Sequence, residues 1–240
     1  MARYALYLDS GPQRSKTMVH VPELLGCIAN GPTTEAALEA TPGAIRRYRA
    51  LMAGHGEALD PEAPFETYIA EHITEGTRLG EGGLEIIHRD LDPIEQDEIE
   101  LLLARFTVIT AELATWAASQ SDGVLDAKPE RGRTARQILL HVLGPVGPYI
   151  SAAVGGAPGH HALHRAAERG EIGMAEALER ANELAAERIR ATSPAQRVAV
   201  LAIGRAGQRQ RTLRSSLRHL LEHHWEHLAE LSRGPGGQNV

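Results

Sequence analysis

The hydrophobic pattern of this chain changes its period near residue 90, and that change restricts the folds open to it. Before this point, segments such as ARYALYL (2–8) and FETYIAEHI (65–73) alternate apolar and polar residues, which is typical of half-buried strands. After it, apolar residues recur every three or four positions, as they do along one face of a helix. A length of 240 residues accommodates two differently folded parts, and the pattern places their boundary between His88 and Asp92.

The first part is predicted to be an α+β domain over residues 1–90. Three strands precede a helix that Thr33 or Thr34 caps and that Pro42-Gly43 interrupts or kinks. A fourth strand follows at FETYIAEHI, and LEIIH (84–88) is a candidate for one more short strand. The resulting order of the main elements is β-β-β-α-β.

The second part, residues 91–233, contains no convincing strand and is predicted to be all-α. Its first helix starts with Asp92 as cap and Pro93 at the first helical position. Thr134 opens the second helix, ARQILLHVLG, before GPVGP perturbs it. The third and fourth helices are IGMAEALERANELAAERIRAT and QRQRTLRSSLRHLLEHHWEHLAELS. Four long helices predict an antiparallel four-helix bundle. Residues 234–240, within the C-terminal segment RGPGGQNV, are expected to be disordered.

Composition excludes several classes of protein. Hydrophobic residues make up 42% of the chain and charged residues 23%, which suits a packed core. A net charge of −6 argues against a nucleic-acid partner. Cys27 is the single cysteine, so no internal disulfide forms and a reducing compartment fits. The N-terminus lacks the apolar region of a signal peptide, and no stretch reaches the roughly 18 to 20 apolar residues of a membrane span. We therefore expect a cytoplasmic protein without a membrane association.

The chain contains twelve histidines, and four of them lie within nine residues of the last predicted helix. On a helical wheel, one arc collects six leucines and must face the core: Leu213, Leu217, Leu220, Leu221, Leu228 and Leu231. His223 and His227 lie side by side on the flank of this arc. Imidazoles at i and i+4 can both reach one divalent ion at about 2.1 Å, and a third ligand must then come from another helix. His141, in the apolar segment QILLHVLG, is the best candidate.

Each of these observations has an ordinary explanation when taken alone. A lone histidine in an apolar helix is usually a core or boundary residue, and an isolated i,i+4 pair of histidines usually lies on the surface. The two together, in one predicted bundle, favour a metal site, because facing helices build metal sites in bundle interiors. His224 falls within the apolar arc and His219 lies further out.

The remaining histidine cluster and a protease-like motif are given less weight. His160, His161 and His164 occur in a Gly/Pro-rich segment and are interpreted as solvated loop residues. HHWEH matches H-x-x-E-H, in which the glutamate is a general base beside two zinc ligands. We reject this match because the third ligand would have to lie well downstream, and Glu226 falls on the outer side of the wheel as a solvated charge.

The second part resembles the DinB-like family of YfiT-related metalloenzymes, from about residue 92 to residue 233. The segment SDGVLDAKPERGRTARQILLHVLG matches the loop and second helix of that family, and LEHHWEHLAEL matches its closing H-x-x-x-H. The matching residues of the first segment are Leu125, Pro129, Gly132, Thr134, Arg136, Gln137, Leu140 and His141. The resemblance implies a four-helix bundle, often dimeric, that binds nickel or zinc through His141, His223 and His227. The chain departs from the family at GPVGPY, where many members continue a regular helix.

The first part resembles the HicB-like antitoxin fold, from residue 3 to about residue 75. The segment MVHVPELLGCIANGPTTEAALEATPGAIRRYRALM carries this resemblance, through Pro22, Gly26, Cys27, Gly31, Thr33, Ala36, Ala37, Ala44 and Ile45. HicB-like proteins neutralise a small toxin, and many add a DNA-binding segment. In this chain, a helical part takes the place of that segment. We carry over the fold and an expected homodimer, and not the antitoxin role.

Three hypotheses for function follow. The first is a metal-dependent hydrolase or thiol transferase acting on a small molecule, since three neutral histidines leave a coordination position open. The second is a non-enzymatic regulatory protein that uses the HicB-like part to bind a partner. The third is a structural metal in a closed site, with His224, Glu222 or a residue of 160–164 as the fourth ligand.

Overall fold

The computed structural model describes residues 1–12, 15–82, 85–203 and 209–233. The chain divides into two compact units, Met1–Asp92 and a second that begins at Pro93. The first unit combines a four-stranded sheet with a helix, and the second is largely helical. The predicted change from an α+β to an α-helical class is therefore confirmed.

The sheet of the first unit is mixed. Its strands are β1 (Ala2–Ser10), β2 (Ser15–His20), β3 (Ile28–Thr33) and β4 (Phe65–Ile73), arranged in the order β3-β2-β1-β4. β1 pairs antiparallel with β2, β2 antiparallel with β3, and β4 parallel with β1. A parallel neighbour needs a crossover connection, and the helix between β3 and β4 provides it.

Helix α1 (Thr34–Gly54) is capped by Thr33, whose side chain accepts a hydrogen bond from the Ala36 backbone N–H. The helix is not interrupted at Pro42, which lies inside it. Ile45 and Tyr48 are fully buried, and the Tyr48 hydroxyl donates to the Leu25 carbonyl at 2.7 Å. This contact satisfies a polar group inside the core of the first unit.

Two features of the first unit differ from the prediction or were not foreseen. LEIIH does not form a strand over its described residues: Asp90 accepts a hydrogen bond from the Ile87 backbone N–H at 3.2 Å, and a 3-10 turn forms at His88–Leu91. Leu84 lies outside the described residues. β4 is exposed or half-exposed along its whole length, so the predicted alternation does not mark a buried face of this edge strand.

Over its described residues, the second unit contains three long helices and several short elements. The long helices are α2 (Gln96–Ala118), α7 (Met174–Arg190) and α9 (Leu213–Ser232). The shorter helices are α3 (Asp122–Leu125), α4 (Ala135–Leu143), α5 (Val146–Val154), α6 (His160–Glu168) and α8 (Pro194–Val198). α2, α4 and α5 pack against α9, and α2, α4, α5 and α6 pack against α7.

Several predicted details of the second unit are wrong. α2 begins at Gln96 with Glu95 as N-cap, because the Pro93 carbonyl accepts a hydrogen bond from Arg214 at 2.7 Å instead of starting the helix. The predicted perturbation of the second helix at GPVGP is, by contrast, confirmed, because a separate helix, α5, follows the break at Gly144-Pro145. A short antiparallel pair, β5 (Leu201–Ile203) and β6 (Arg209–Arg211), stands where no strand was expected. The predicted disordered tail lies outside the described residues.

Two helical stretches have the length and composition of a membrane span, although no run of apolar residues of that length was expected from the sequence. They are Gln96–Ala118 and Ala135–Val154, and half of the most apolar window in each is buried inside the protein. The core helices of a soluble protein pass the same test, so the two stretches are weak evidence for a membrane location.

Candidate metal centre

Helix α4 carries the first residue of the candidate site. Thr134 caps it through a reciprocal pair of hydrogen bonds with Gln137, in which each side chain accepts from the other residue's backbone N–H. Ile138, Leu139 and Val142 are buried. His141 follows in the last turn of α4, on its exposed side.

Helix α9 carries the other two residues. Its N-terminus is capped by Thr212 and Ser215, and all six leucines of the predicted apolar arc are buried. The predicted core face of this helix is therefore confirmed. His223 is half-buried and His227 is buried, which places both at the edge of that face.

The three rings of His141, His223 and His227 lie together. Their centroids are 4.9 Å apart for His141 and His223, 5.0 Å for His141 and His227, and 4.6 Å for His223 and His227. One ring nitrogen of each residue lies within 4.8 Å of the others. An ion bound at about 2.1 Å needs nitrogens about 3.4 Å apart in tetrahedral geometry, so small side-chain rotations bring the three to bonding distance.

The chemistry of His223 fits a metal ligand. Burial, followed by the neighbouring His227, His224 and His141, lowers the pKa of His223 well below its ordinary value. The ring is therefore neutral and keeps a lone pair for coordination. Its Nδ1 atom is buried and has no hydrogen-bond partner among the described residues. A buried polar atom left in this state needs an explanation, and a bound ion provides one.

His227 is held by a carboxylate three residues further along α9. Its Nδ1 lies 2.6 Å from Glu230 Oε2, and Glu230 lies 3.4 Å from an Arg133 guanidinium nitrogen. The hydrogen bond from His227 lowers the pKa of Glu230, so the carboxylate is ionised. With Nδ1 engaged, Nε2 is the nitrogen of His227 left for a ligand.

The other two histidines of α9 are oriented differently. His224 is buried as predicted: its Nδ1 donates to the Leu220 carbonyl at 2.9 Å, and its ring packs edge-on against Phe106. Burial lowers the pKa of His224 to about 3. His219 was expected further out, but it is buried too, with Nδ1 2.5 Å from the Ser215 carbonyl.

The prediction that His160, His161 and His164 are solvated loop residues is wrong about the loop for all three and wrong about solvation for two of them. All three lie on α6. His161 is exposed, whereas His164 is half-buried with Nε2 3.3 Å from the Leu140 carbonyl. His160 is buried, and neither of its ring nitrogens has a hydrogen-bond partner in the described part of the chain. α6 packs against α4, α5 and α7, and this packing shields His160 and His164 from solvent.

The carboxylates near the triad differ in environment. Glu226, which was expected to be a solvated charge, is half-buried, and burial raises its pKa. Glu222 is buried in an ion pair with Arg218 at 3.0 Å. Among the His, Cys, Asp and Glu side chains of the described residues, one group of three or more is spaced to hold an ion, and it consists of His141, His223 and His227. The described residues therefore offer no fourth protein ligand for a closed site.

Sequence reasoning missed three residues around the triad. Glu230 could have been found, because it lies at i+3 from His227 and therefore on a neighbouring part of the helix surface. Arg133 and Tyr149 come from other segments, and no periodicity relates them to α9. The Tyr149 ring lies 6.2 Å from that of His223 and 5.8 Å from that of His219.

Comparisons with known proteins add no relative. No family model matches the chain, and it has no significant match among the curated proteins or the solved structures. Any function must therefore be argued from the site itself.

Proposed function

We propose that this protein binds a single divalent ion, zinc or nickel, through His141, His223 and His227, and that it is a DinB-like metal-dependent hydrolase or thiol transferase for a small molecule. The observation that carries the proposal is the convergence of three imidazoles from two helices, one of them with an orphaned buried nitrogen. α2 and α4 each pack against both α7 and α9, an arrangement compatible with a DinB-like four-helix bundle.

The chain's own residues supply two histidines anchored on one helix and a third that is exposed to solvent. His223 and His227 are one helical turn apart on α9, and the buried leucines fix that helix. His141 is exposed, so a small substrate approaches from its side. A divalent ion with three protein ligands has a free position and acts there as a Lewis acid, which suits both hydrolysis and the binding of a thiolate.

The proposal is tested by metal analysis of the full chain purified without chelator and without a polyhistidine tag. One zinc or nickel per chain is expected for the wild type, with large losses in His141→Ala and in His223→Ala. His161→Ala is the matched control, since it removes an exposed histidine outside the triad. Retention of full metal content in His141→Ala would contradict the proposal.

A second candidate function has a specific observation in its favour. In the α+β unit, the edge strand β4 exposes two large apolar side chains: Tyr68 is 42% and Ile69 is 51% accessible. Exposed sheet edges bind other chains by strand addition, which supports a HicB-like interaction module that pairs with a partner or with a second copy. Light scattering of the wild type, Ile69→Asp and the control Val198→Asp, in the second unit, tests self-association. Pairing through β4 predicts a lower mass for Ile69→Asp than for the other two proteins, and equal masses for all three would argue against it.

A further inference from the structure

We infer that Glu230 is the positioning residue of the proposed centre: it fixes His227 in the one orientation and tautomer that direct Nε2 at the ion. The inference rests on the proposed function and extends it to two residues, Glu230 and Arg133, that lie outside the triad.

The geometry of the His227–Glu230 pair supports this role. The distance from His227 Nδ1 to Glu230 Oε2 is 2.6 Å, which is short for a nitrogen–oxygen pair, and hydrogen bonds to an ionised acceptor are shorter than those between neutral groups. An ionised carboxylate accepts only, so Nδ1 must carry the proton. Metal binding requires the neutral form of the ring, and in that form the lone pair is on Nε2, on the side away from Glu230.

The location of the pair makes the hydrogen bond effective. The His227 side chain is 7% and the Glu230 side chain 22% accessible, so water competes weakly for either partner. The i,i+3 spacing places both on one face of α9. The ring of His227 is therefore held before an ion binds, and less conformational freedom is lost on binding.

Arg133 extends the network to the segment that precedes α4. Its guanidinium lies 3.4 Å from the same Oε2 atom that accepts from His227. The arginine side chain is 38% accessible, so its contribution is screened by solvent. Because Thr134, the N-cap of α4, is the next residue, the contact also joins the helix of His141 to the helix of His227.

Carboxylates that accept from the second nitrogen of a ligating histidine orient the ring and raise its basicity, and their loss weakens metal binding by about 10- to 100-fold. We therefore expect Glu230→Ala to raise the dissociation constant for Zn²⁺ by about this factor, measured by competition with a chromophoric chelator. Glu230→Gln keeps a carbonyl acceptor without the charge and should fall between Glu230→Ala and the wild type. Arg133→Ala should have a smaller effect than Glu230→Ala.

A second measurement reads the tautomer directly. Long-range ¹H–¹⁵N spectra of the metal-free protein, at about pH 8.5 where a histidine side chain is ordinarily neutral, should show the His227 proton on Nδ1. In Glu230→Ala the signal should change to an Nε2–H form or a mixture, whereas Glu230→Gln should keep the proton on Nδ1. A residue that merely stabilised the helix would not move this signature.

The controls separate failure of this inference from failure of the proposed function. Glu183→Ala removes an exposed carboxylate of α7, and thermal unfolding of each metal-free variant reports on folding. If the wild type binds Zn²⁺, His227→Ala does not, and Glu230→Ala binds as tightly as Glu183→Ala, the inference on Glu230 is wrong and the metal site stands. If the wild type binds no Zn²⁺, the proposed function falls, and this inference falls with it.

Discussion

His224 differs from its neighbour His223 although the two are adjacent in the chain. The His224 ring is 1% accessible, donates to its own helix and contacts Phe106. Its pKa is lowered to about 3, with burial as the main cause. Adjacent residues on a helix point about 100° apart, so one ring enters the core while the other reaches its edge.

The depressed pKa of His224 makes stability depend on pH in a defined window. Unfolded histidine has a pKa of about 6.5, so between about pH 6.5 and pH 3 the unfolded chain binds a proton that the folded chain does not. The stability present above pH 6.5 is therefore lost as the pH falls, on the order of 1 kcal/mol per pH unit. In urea unfolding of chelator-treated protein, His224→Leu should show a correspondingly smaller loss between pH 6.5 and pH 4.5. Equal slopes for the two proteins would show that His224 is not held neutral.

At the residue level, the wheel placed His223, His224 and His227 from spacing alone, because one helix fixes their relative directions. The wheel placed His219 further out, which is wrong, and it does not apply to His160, which lies on α6. The burial of these two depends on groups from other elements, such as Tyr149 on α5 against His219 and Gly147 on α5 against His160. A Cβ at Gly147 would lie 2.8 Å from that of His160, so the glycine permits the close approach.

At the level of elements, α4 is short, and its position depends on its first turn. Thr134 and Gln137 satisfy two backbone N–H groups that the helix itself leaves unpaired. His141 lies two turns further on, so the cap holds the helix that presents it.

Loss of this cap should cost measurable stability. We expect Thr134→Ala to reduce the free energy of unfolding by about 1 kcal/mol, and Thr134→Ser, which keeps the hydroxyl, to restore most of it. Guanidinium unfolding provides the measurement. A Ser variant as unstable as the Ala variant would indicate that packing of the threonine methyl group matters more than the cap.

The two faces of α2 should respond differently to truncation. Phe106 is fully buried against His224, whereas Leu101 is 41% accessible. Phe106→Ala should destabilise the protein by about 3–5 kcal/mol, and Leu101→Ala should change stability by less than about 1 kcal/mol. Urea unfolding of both variants checks the assignment of the core face; similar losses would mean that the face is assigned wrongly.

Helix faces were more predictable than helix ends. Seven large apolar residues recur at helical spacing along α2, as the period of 3.6 residues requires of one helix face. Six of them are buried and Trp116 is half-buried; the buried six are Ile99, Leu102, Leu103, Phe106, Ile109 and Leu113. The start of α2 was misplaced, since it depends on the hydrogen bond between Arg214 and the Pro93 carbonyl, a contact across more than a hundred residues. The strand pair β5–β6 was missed for a different reason: strands of three residues are too short to show a period.

At the level of the whole molecule, every residue of the candidate centre belongs to the unit that begins at Pro93. The order of elements in the first unit followed from its alternating segments and caps. From the sequence, the convergence of His141 on the α9 pair was only a hypothesis, because distant helices are paired by packing that leaves no local sequence pattern.

The division into two units predicts that damage to the first leaves the metal site intact. Ile45 is fully buried in the α+β unit, and Ile45→Ala should destabilise that unit by about 2–5 kcal/mol. Under conditions where the chain stays folded, its zinc stoichiometry and affinity should equal those of the wild type. A loss of metal in this variant would show that the α+β unit takes part in the site.

The central claim is that His141, His223 and His227 bind one ion together, and anomalous diffraction tests it most directly. Crystals of the full chain grown with Zn²⁺, and measured on both sides of the zinc absorption edge, should show one strong peak about 2.1 Å from one nitrogen of each of the three rings. A map with no peak between these rings, or with zinc held elsewhere while the ring of His141 points away from the other two, would contradict the account.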